Sequence, residues 1–482
     1  MILVIAEKPS VAQSIAKVLG ATSRKDGYME GGNYIVSWCF GHLVELADAS
    51  SYDERYAKWR YDDLPIVPES WMFEVTKDKA QQFKVLSALM KDKRVTELVC
   101  ATDAGREGEL IFRLVYDKAG CTKPFKRLWI SSLEDSAIRE GFNHLRDGKE
   151  YDRLYEAALS RSKADWIVGI NGTRLFTTLY HKKLVVGRVQ TPTLAMLVER
   201  DGKISTFQKE KYFNVHVGKG DLTADLEKVK TEEEAKRIAA ACEKKQAVVS
   251  SLKRETKTVN PPKLYDLTSL QREANRYYGF TAQQTLDLVQ TLYEKKLLTY
   301  PRTDSQFITD DMEDTARQVI SIVCRQLPLF SGVSVTPDIS SVTDNSKVTD
   351  HHAILPTVQL EKQDVSALPQ SEQKILNLVG MRLLCATGEK HTYAETQIRL
   401  SCESYTFKTK GKTVIQNGWK AIEELFKSSL KTKEKDDPMK SLPEVHEGDI
   451  LDGVSASVTE HFTTPPKQYT EDTLLSAMET AG

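Results

Sequence analysis

Two stretches of this chain share one plan: an apolar strand that runs into a charged turn and then into a helix with a single apolar stripe. In the first, Met1 to Ala6 is apolar, Glu7-Lys8-Pro9-Ser10 is the turn, and Val11, Ile15, Val18 and Leu19 make one helical face that closes at Gly20. In the second, Leu98-Val99-Cys100 leads into Ala101-Thr102-Asp103-Ala104-Gly105-Arg106-Glu107-Gly108-Glu109, and Leu110, Ile111, Leu114 and Val115 form a stripe that ends at Gly120. Units of this kind build an open α/β sheet, and such sheets bind ligands where strand carboxyl ends meet helix starts. Glu7, Lys8, Asp103 and Glu107 stand at those ends. Three carboxylates there make a hard, oxygen-rich site suited to Mg²⁺ with several waters retained. The plainer reading is that Asp103 and Glu107 are acids favoured by a helix dipole. Gly105 and Gly108 count against it, because glycine weakens a helix start and lets backbone approach a ligand closely.

A third feature lies far downstream, in Leu298-Thr299-Tyr300-Pro301-Arg302-Thr303-Asp304-Ser305. It sets a phenol two residues from a guanidinium. A free tyrosine has a pKa of about 10 and is a weak nucleophile, so it needs neighbouring charge and an electrophile that is itself neutralised. Arg302 suits the second task, because its rigid fork of donors matches phosphate oxygens. The run reads as a nucleophile for phosphate, with a packed loop aromatic as the alternative.

The chain carries 67 Lys and Arg against 68 Asp and Glu, a formal net charge of −1, so any groove for nucleic acid must be local. Basic stretches occur at Lys58-Trp59-Arg60, Arg161-Ser162-Lys163, Arg174, His181-Lys182-Lys183 and Arg188, and Trp59 offers a stacking face among cations. Seven cysteines show no CxxC spacing, which points away from a zinc ribbon or a disulfide framework. No apolar run approaches the ~20 residues of a membrane span, and there is no Walker A loop. With a core strand at its very start, the chain is expected in a reducing cytoplasm.

Taken in chain order, Glu7-Lys8-Pro9-Ser10, the acidic loop Ala101 to Glu109, Gly187-Arg188-Val189-Gln190-Thr191-Pro192, Thr299-Tyr300-Pro301-Arg302 and His351-His352-Ala353-Ile354 resemble the motifs of type IA DNA topoisomerases, most of all the topoisomerase III branch. The resemblance runs from the first residue to near the last. It implies that Tyr300 attacks a phosphodiester of single-stranded DNA, forming a 5′-phosphotyrosine and freeing a 3′-hydroxyl, while Arg302 steadies the scissile phosphate. Glu7 and Lys8 would act beside the nucleophile and the leaving 3′ oxygen, and His351 would help organise phosphate and tyrosine. Asp103 and Glu107 match the metal-binding acids of the TOPRIM fold, and with Glu7 they are the expected Mg²⁺ ligands. The expected DNA contacts are Trp59, Arg161, Arg174, Gly187, Arg188, Val189, Gln190 and Arg302. Two positions depart from the pattern: Gly105 replaces an aspartate common in the family, and Val185 replaces its usual serine.

The fold class this implies is α/β and α+β multidomain, the type IA torus. It would comprise a Rossmann-like TOPRIM domain at 1–150, a helical DNA-binding domain at 151–210 and 418–482, a β-rich hinge domain at 211–263 and 388–417, and a mobile helical domain at 264–387 that carries Tyr300. Residues 427–440, rich in Lys, Ser and Asp, read as a solvated loop. The implied activity is Mg-dependent, ATP-independent cleavage, strand passage and religation by a monomer acting on single-stranded DNA within supercoiled or catenated duplex, with no membrane partner. Two alternatives are a truncated fragment that binds and cleaves single strands without full strand passage, and another TOPRIM enzyme such as a primase or nuclease. The second class lacks the tyrosine and Gly-Arg-Val-Gln runs.

Overall fold

The computed structural model describes residues 1–348, 351–430 and 442–481. The N-terminal strand Ile2–Ala6 is the centre of a seven-stranded sheet. Its order is Ser23–Lys25, Tyr28–Gly31, Tyr34–Trp38, Ile2–Ala6, Glu97–Ala101, Phe125–Arg127, Arg146–Asp147. Ile2–Ala6 runs parallel to both neighbours, with Ala6 opposite Trp38 on one side and Ala101 on the other. Leu3 and Ile5 pack on helix Arg106–Lys118, while Val4 and Ala6 pack on helix Pro9–Leu19. A strand covered on both faces must be apolar throughout, so it shows no alternation in the sequence. Pro9 opens its helix, and Gly20 closes it in the left-handed region at φ 74°, where its N–H caps the last carbonyls.

A second seven-stranded sheet has the order Ile450–Leu451, Ala247–Val259, His391–Cys402, Tyr405–Gln416, Leu222–Val229, Lys211–Lys219, Ser455–Phe462. Helix Glu232–Cys242 covers one face through Ala235, Ile238 and Cys242. The chain therefore enters this β-rich unit three times rather than the expected two. The strands within 450–462 belong to it and not to a helical segment over 418–482, because Ser455–Phe462 pairs antiparallel with Lys211–Lys219 along its whole length.

Helices Leu267–Tyr278, Ala282–Glu294, Glu313–Gln326 and Gln370–Ala386 share another core, with Leu270, Val289, Val323 and Leu376 fully buried. Capping boxes at Asp266/Ser269 and Thr281/Gln284 start the first two. After Glu294 the chain turns through Lys296 at φ 64° and runs into the Tyr300 loop, where Thr299 N–H donates to the Leu355 carbonyl at 2.9 Å. The long helix Asp152–Tyr180 buries only Ala158 and Arg174, and Gln190–Ser205 buries nothing. Helix Glu471–Glu479 docks on Leu267–Tyr278 through Asp472, bonded to Arg272 at 3.0 Å and Arg276 at 2.8 Å. The expected loop at 427–440 is in part helical, since Lys420–Ser429 is a helix; residues 431–441 lie outside the described residues.

Candidate active site

Strand register brings the two buried carboxylates together. Because Ala6 pairs with Ala101, the residues that follow them leave the same edge of the sheet side by side. The Asp103 N–H donates to Glu7 Oε2 at 3.2 Å. Burial raises the Glu7 pKa to about 7 and the Asp103 charge adds to it, against the Asp103 N–H, Lys8 and Arg302. Burial likewise raises Asp103, which Lys8, Arg302 and Tyr300 oppose. Asp103 Oδ2 is buried without a hydrogen-bond partner, and Arg302 Nη1 lies 4.0 Å from it.

The tyrosine loop closes over these groups. Tyr300 is only 7% exposed. Its backbone N–H donates to the Ser131 carbonyl at 3.1 Å. Its hydroxyl faces both the Asp103 carboxylate and the Arg302 guanidinium. Burial and the Asp103 charge push the phenol above its ordinary pKa, and Arg302 pulls the other way. His351 packs on the Tyr300 ring, 4.4 Å between centroids and tilted by 40°, and bonds through Nε2 to the Ala104 carbonyl and through Nδ1 to Ser131 Oγ at 2.9 Å. A carbonyl only accepts, so Nε2 carries the proton and Ser131 donates to Nδ1. Burial lowers the His351 pKa to about 4, so the ring is neutral at pH 7. Lys8 reaches Glu294 at 3.5 Å and Lys296 reaches Asp135 at 2.5 Å, so polar contacts join the first sheet's edge to the tyrosine loop.

Glu7, Asp103, Glu107, Arg161, Tyr300, Arg302 and His351 line one cavity of about 810 Å³. The expected metal triad is not assembled within it: among the described residues no three His, Cys, Asp or Glu side chains stand close enough to hold a metal ion. Glu107, at the exposed helix start, is 3.4 Å from His42, whose hydrogen bond lowers its pKa. The donor set nonetheless fits a hard cation, since a buried Asp103 oxygen has no donor and Glu7 and Glu107 share its cavity.

The acidic loop is held by a residue that sequence reasoning missed. Arg127, fully buried, donates to Glu109 Oε2 at 3.0 Å and to the carbonyls of Cys100, Thr102, Leu128 and Asp103 at 3.2, 2.7, 2.7 and 2.6 Å. Its guanidinium sits over Trp129, which stacks in turn on His351. An arginine in a short strand that is otherwise apolar at its inward positions was the available signal. Gly108 also differs from expectation. A Cβ there would meet the Asp103 carbonyl oxygen at 2.0 Å, so the close approach it permits is to the loop's own backbone.

The expected DNA contacts divide. Arg188 is bonded to Asp165 at 2.7 Å on an exposed surface, and Gly187, Val189 and Gln190 form the start of helix Gln190–Ser205. Arg174 departs from its expected role. It is buried, donates to the Tyr56 carbonyl at 2.7 Å and lies over Trp59, so in this state it holds the 52–60 loop and covers a face of Trp59.

The DNA topoisomerase family matches residues 149–482, and the Toprim domain family matches residues 2–133. DNA topoisomerase 3 of Bacillus licheniformis is 41% identical over 490 aligned residues, which cover 99% of this chain and 67% of that protein. DNA topoisomerase 3 of Bacillus subtilis is 40% identical over 499, with the same shares. The chain spans about two thirds of the length of these relatives. Its fold is similar to that of full-length topoisomerase I from Thermotoga maritima, with a TM-score of 0.75 at 24% identity over 100% of this chain and 75% of that one.

Proposed function

The chain belongs to the type IA DNA topoisomerases, on the topoisomerase III branch, and from that premise we propose that Tyr300 is the nucleophile that opens and reseals a single strand of DNA. The observation that carries this reading is the position of the Tyr300 hydroxyl, between Asp103 and Arg302 in a cavity edged by Glu7 and His351. In cleavage the phenolic oxygen bonds to phosphorus and its proton passes to a neighbouring carboxylate. The bond from phosphorus to the 3′ oxygen breaks, and that oxygen takes up a proton. Religation is the reverse, so the phosphodiester energy is kept and ATP is not consumed.

Arg302 holds two non-bridging oxygens of the phosphate with its fork. Lys8 offers a compact charge at the leaving oxygen, with Glu7 beside it, and His351 fixes the Tyr300 ring by close ring contact. Asp103 and Glu107, with Glu7 adjacent, would hold Mg²⁺, which would supply positive charge to the phosphate and the DNA backbone. Arg161, Arg188 and Gln190 would line the path of the strand. Tyr300 is nearly buried, its ring in an apolar cluster with Ala6, Trp38 and Tyr293, and around it the seam is closed by polar contacts such as Lys8 with Glu294 and Lys296 with Asp135, which suit rigid-body parting of the two halves of the site. That parting opens the gate through which another strand passes, in relaxation of negative supercoils and in decatenation.

All proposed catalytic groups come from one chain, which fits a monomer. No helix among the described residues is long and apolar enough to cross a membrane, and the seven cysteines are free thiols, as expected for a cytoplasmic protein. The test is relaxation of a negatively supercoiled plasmid with Mg²⁺ and no ATP. Wild type should relax it and Tyr300→Phe should not; relaxation by Tyr300→Phe would refute the assignment.

A further inference from the structure

A second basic surface lies on the β-rich sheet and shares no lining residue with the Tyr300 cavity. Ser251, Arg399 and Lys408 stand in one row across strands Ala247–Val259, His391–Cys402 and Tyr405–Gln416, and Lys253, Gln397 and Lys410 stand in the next. These side chains alternate with the buried Ile398, Leu400 and Phe407, which face helix Glu232–Cys242, so the rows point to the opposite side. Together they line a groove of about 410 Å³.

The acids nearby are already engaged. Asp225, opposite Lys408 in register, is bonded to His216 at 2.7 Å. Glu255 is bonded to Lys253 at 3.2 Å, and Glu395 to Lys257 at 2.6 Å. Arg399, Lys408 and Lys410 have no ion-pair partner among the described residues, and Arg399 faces Lys408 directly. Like charges opposite one another destabilise a strand pair, and a polyanion laid across them would reverse the sign of that term. In a chain of net charge −1, three unpaired cations around one groove are a local concentration rather than a general property of the surface.

We propose that this face binds a second single strand of DNA by its phosphates, separate from the strand that enters the Tyr300 cavity. The proposal rests on the topoisomerase reading, in which one strand is cut while another is moved. Arg399, Lys408 and Lys410 hold phosphates, and Ser251 and Gln397 add hydrogen bonds that do not depend on base sequence.

The test uses the whole chain as wild type, as Arg399→Gln/Lys408→Gln/Lys410→Gln, and as the charge-conserving Arg399→Lys/Lys408→Arg/Lys410→Arg. Labelled oligothymidylate is titrated by fluorescence anisotropy over a salt series, and the covalent adduct on the same oligonucleotide is measured in parallel. Wild type and the charge-conserving protein should bind two oligonucleotides, and the glutamine variant one, with equal adduct yields in all three. The second site should weaken with a slope of about −2 in log K against log salt, from ~0.7 per phosphate contact and three contacts. Two oligonucleotides on the glutamine variant, loss of the second site in the charge-conserving protein, or loss of the adduct in the glutamine variant alone would each overturn the proposal. Absence of an adduct in wild type would refute the reading of Tyr300 instead, and the stoichiometries would still decide whether this face binds DNA.

Discussion

Replacing Arg127 by methionine removes five hydrogen bonds from the acidic loop while keeping most of the side-chain volume. Breaking a buried ion pair costs about 3–5 kcal/mol, mainly because a charge is left alone. Glu109 retains Arg113 Nε at 2.8 Å, so the ion-pair part falls at the low end of that range. The carbonyls of Thr102, Asp103 and Leu128 lose a donor, and each buried group left unmade costs about 1–3 kcal/mol unless water reaches it. Asp103 borders the large cavity and can be rehydrated there; Thr102 and Leu128 are buried. With every contribution at the low end of its range the sum is about 5 kcal/mol, concentrated at residues 100–104. Hydrogen exchange of the peptide covering strand Glu97–Ala101 and the loop after it should then quicken by about 3.5 decades, a few thousandfold, at ~1.4 kcal/mol per decade. Arg127→Lys should lose nearly as much, since one ammonium cannot span the same set of carbonyls. DNA cleavage should slow in both variants with single-strand affinity little changed. A loss of protection below tenfold in Arg127→Met would refute the view that this buried guanidinium holds the loop.

Gly105→Asp should lower the Mg²⁺ midpoint of relaxation, because a Cβ at Gly105 meets nothing within 4 Å and an added carboxylate raises attraction for a hard dication; identical midpoints would place position 105 outside the metal's reach. Arg302→Ala should slow adduct formation more than Arg302→Lys, which keeps charge but loses the fork, and equal rates would count against phosphate clamping. His351 should make stability pH-dependent: with its folded pKa lowered to about 4 from an ordinary 6.5, the unfolded chain binds the proton first, so stability is full above about pH 6.5 and falls toward pH 4 by up to about 3 kcal/mol. His351→Gln should remove that part of the slope in thermal unfolding across pH 4–7, and an unchanged slope would contradict the assignment.

The sequence carried those parts of the site that depend on local pattern. Ile2–Ala6 and Glu97–Ala101 were legible as strands because a strand buried on both faces is wholly apolar, and Glu7 and Asp103 followed from their place at its end. Tyr300 and Arg302 were legible because one loop sets a phenol two residues from a guanidinium, and the resemblance of the motifs in chain order gave the pair its role. What escaped was long-range. Ser131, which accepts from Tyr300 N–H and donates to His351, is an ordinary serine until the chain closes over it. Arg127 acts across strands, and His42 meets Glu107 from 65 residues away. Arg174 was misjudged because charge says nothing of burial, and its carbonyl partner Tyr56 lies 118 residues upstream. The third entry into the β-rich sheet was missed because Ser455–Phe462 packs only Ala456 and Val458 on the core, both partly buried, and Glu460 interrupts the apolar alternation.

The central claim is that Tyr300 becomes bonded to DNA, and the most direct measurement is mass spectrometry of the trapped complex. Wild type is incubated with a 5′-labelled and a 3′-labelled single-stranded oligonucleotide, quenched with denaturant and digested. The account requires a nucleotide joined through its 5′ phosphate to the peptide that contains Tyr300, a free 3′-hydroxyl on the released fragment, and no adduct with Tyr300→Phe. An adduct on any other residue, a 3′ linkage, or an adduct that persists in Tyr300→Phe would contradict it.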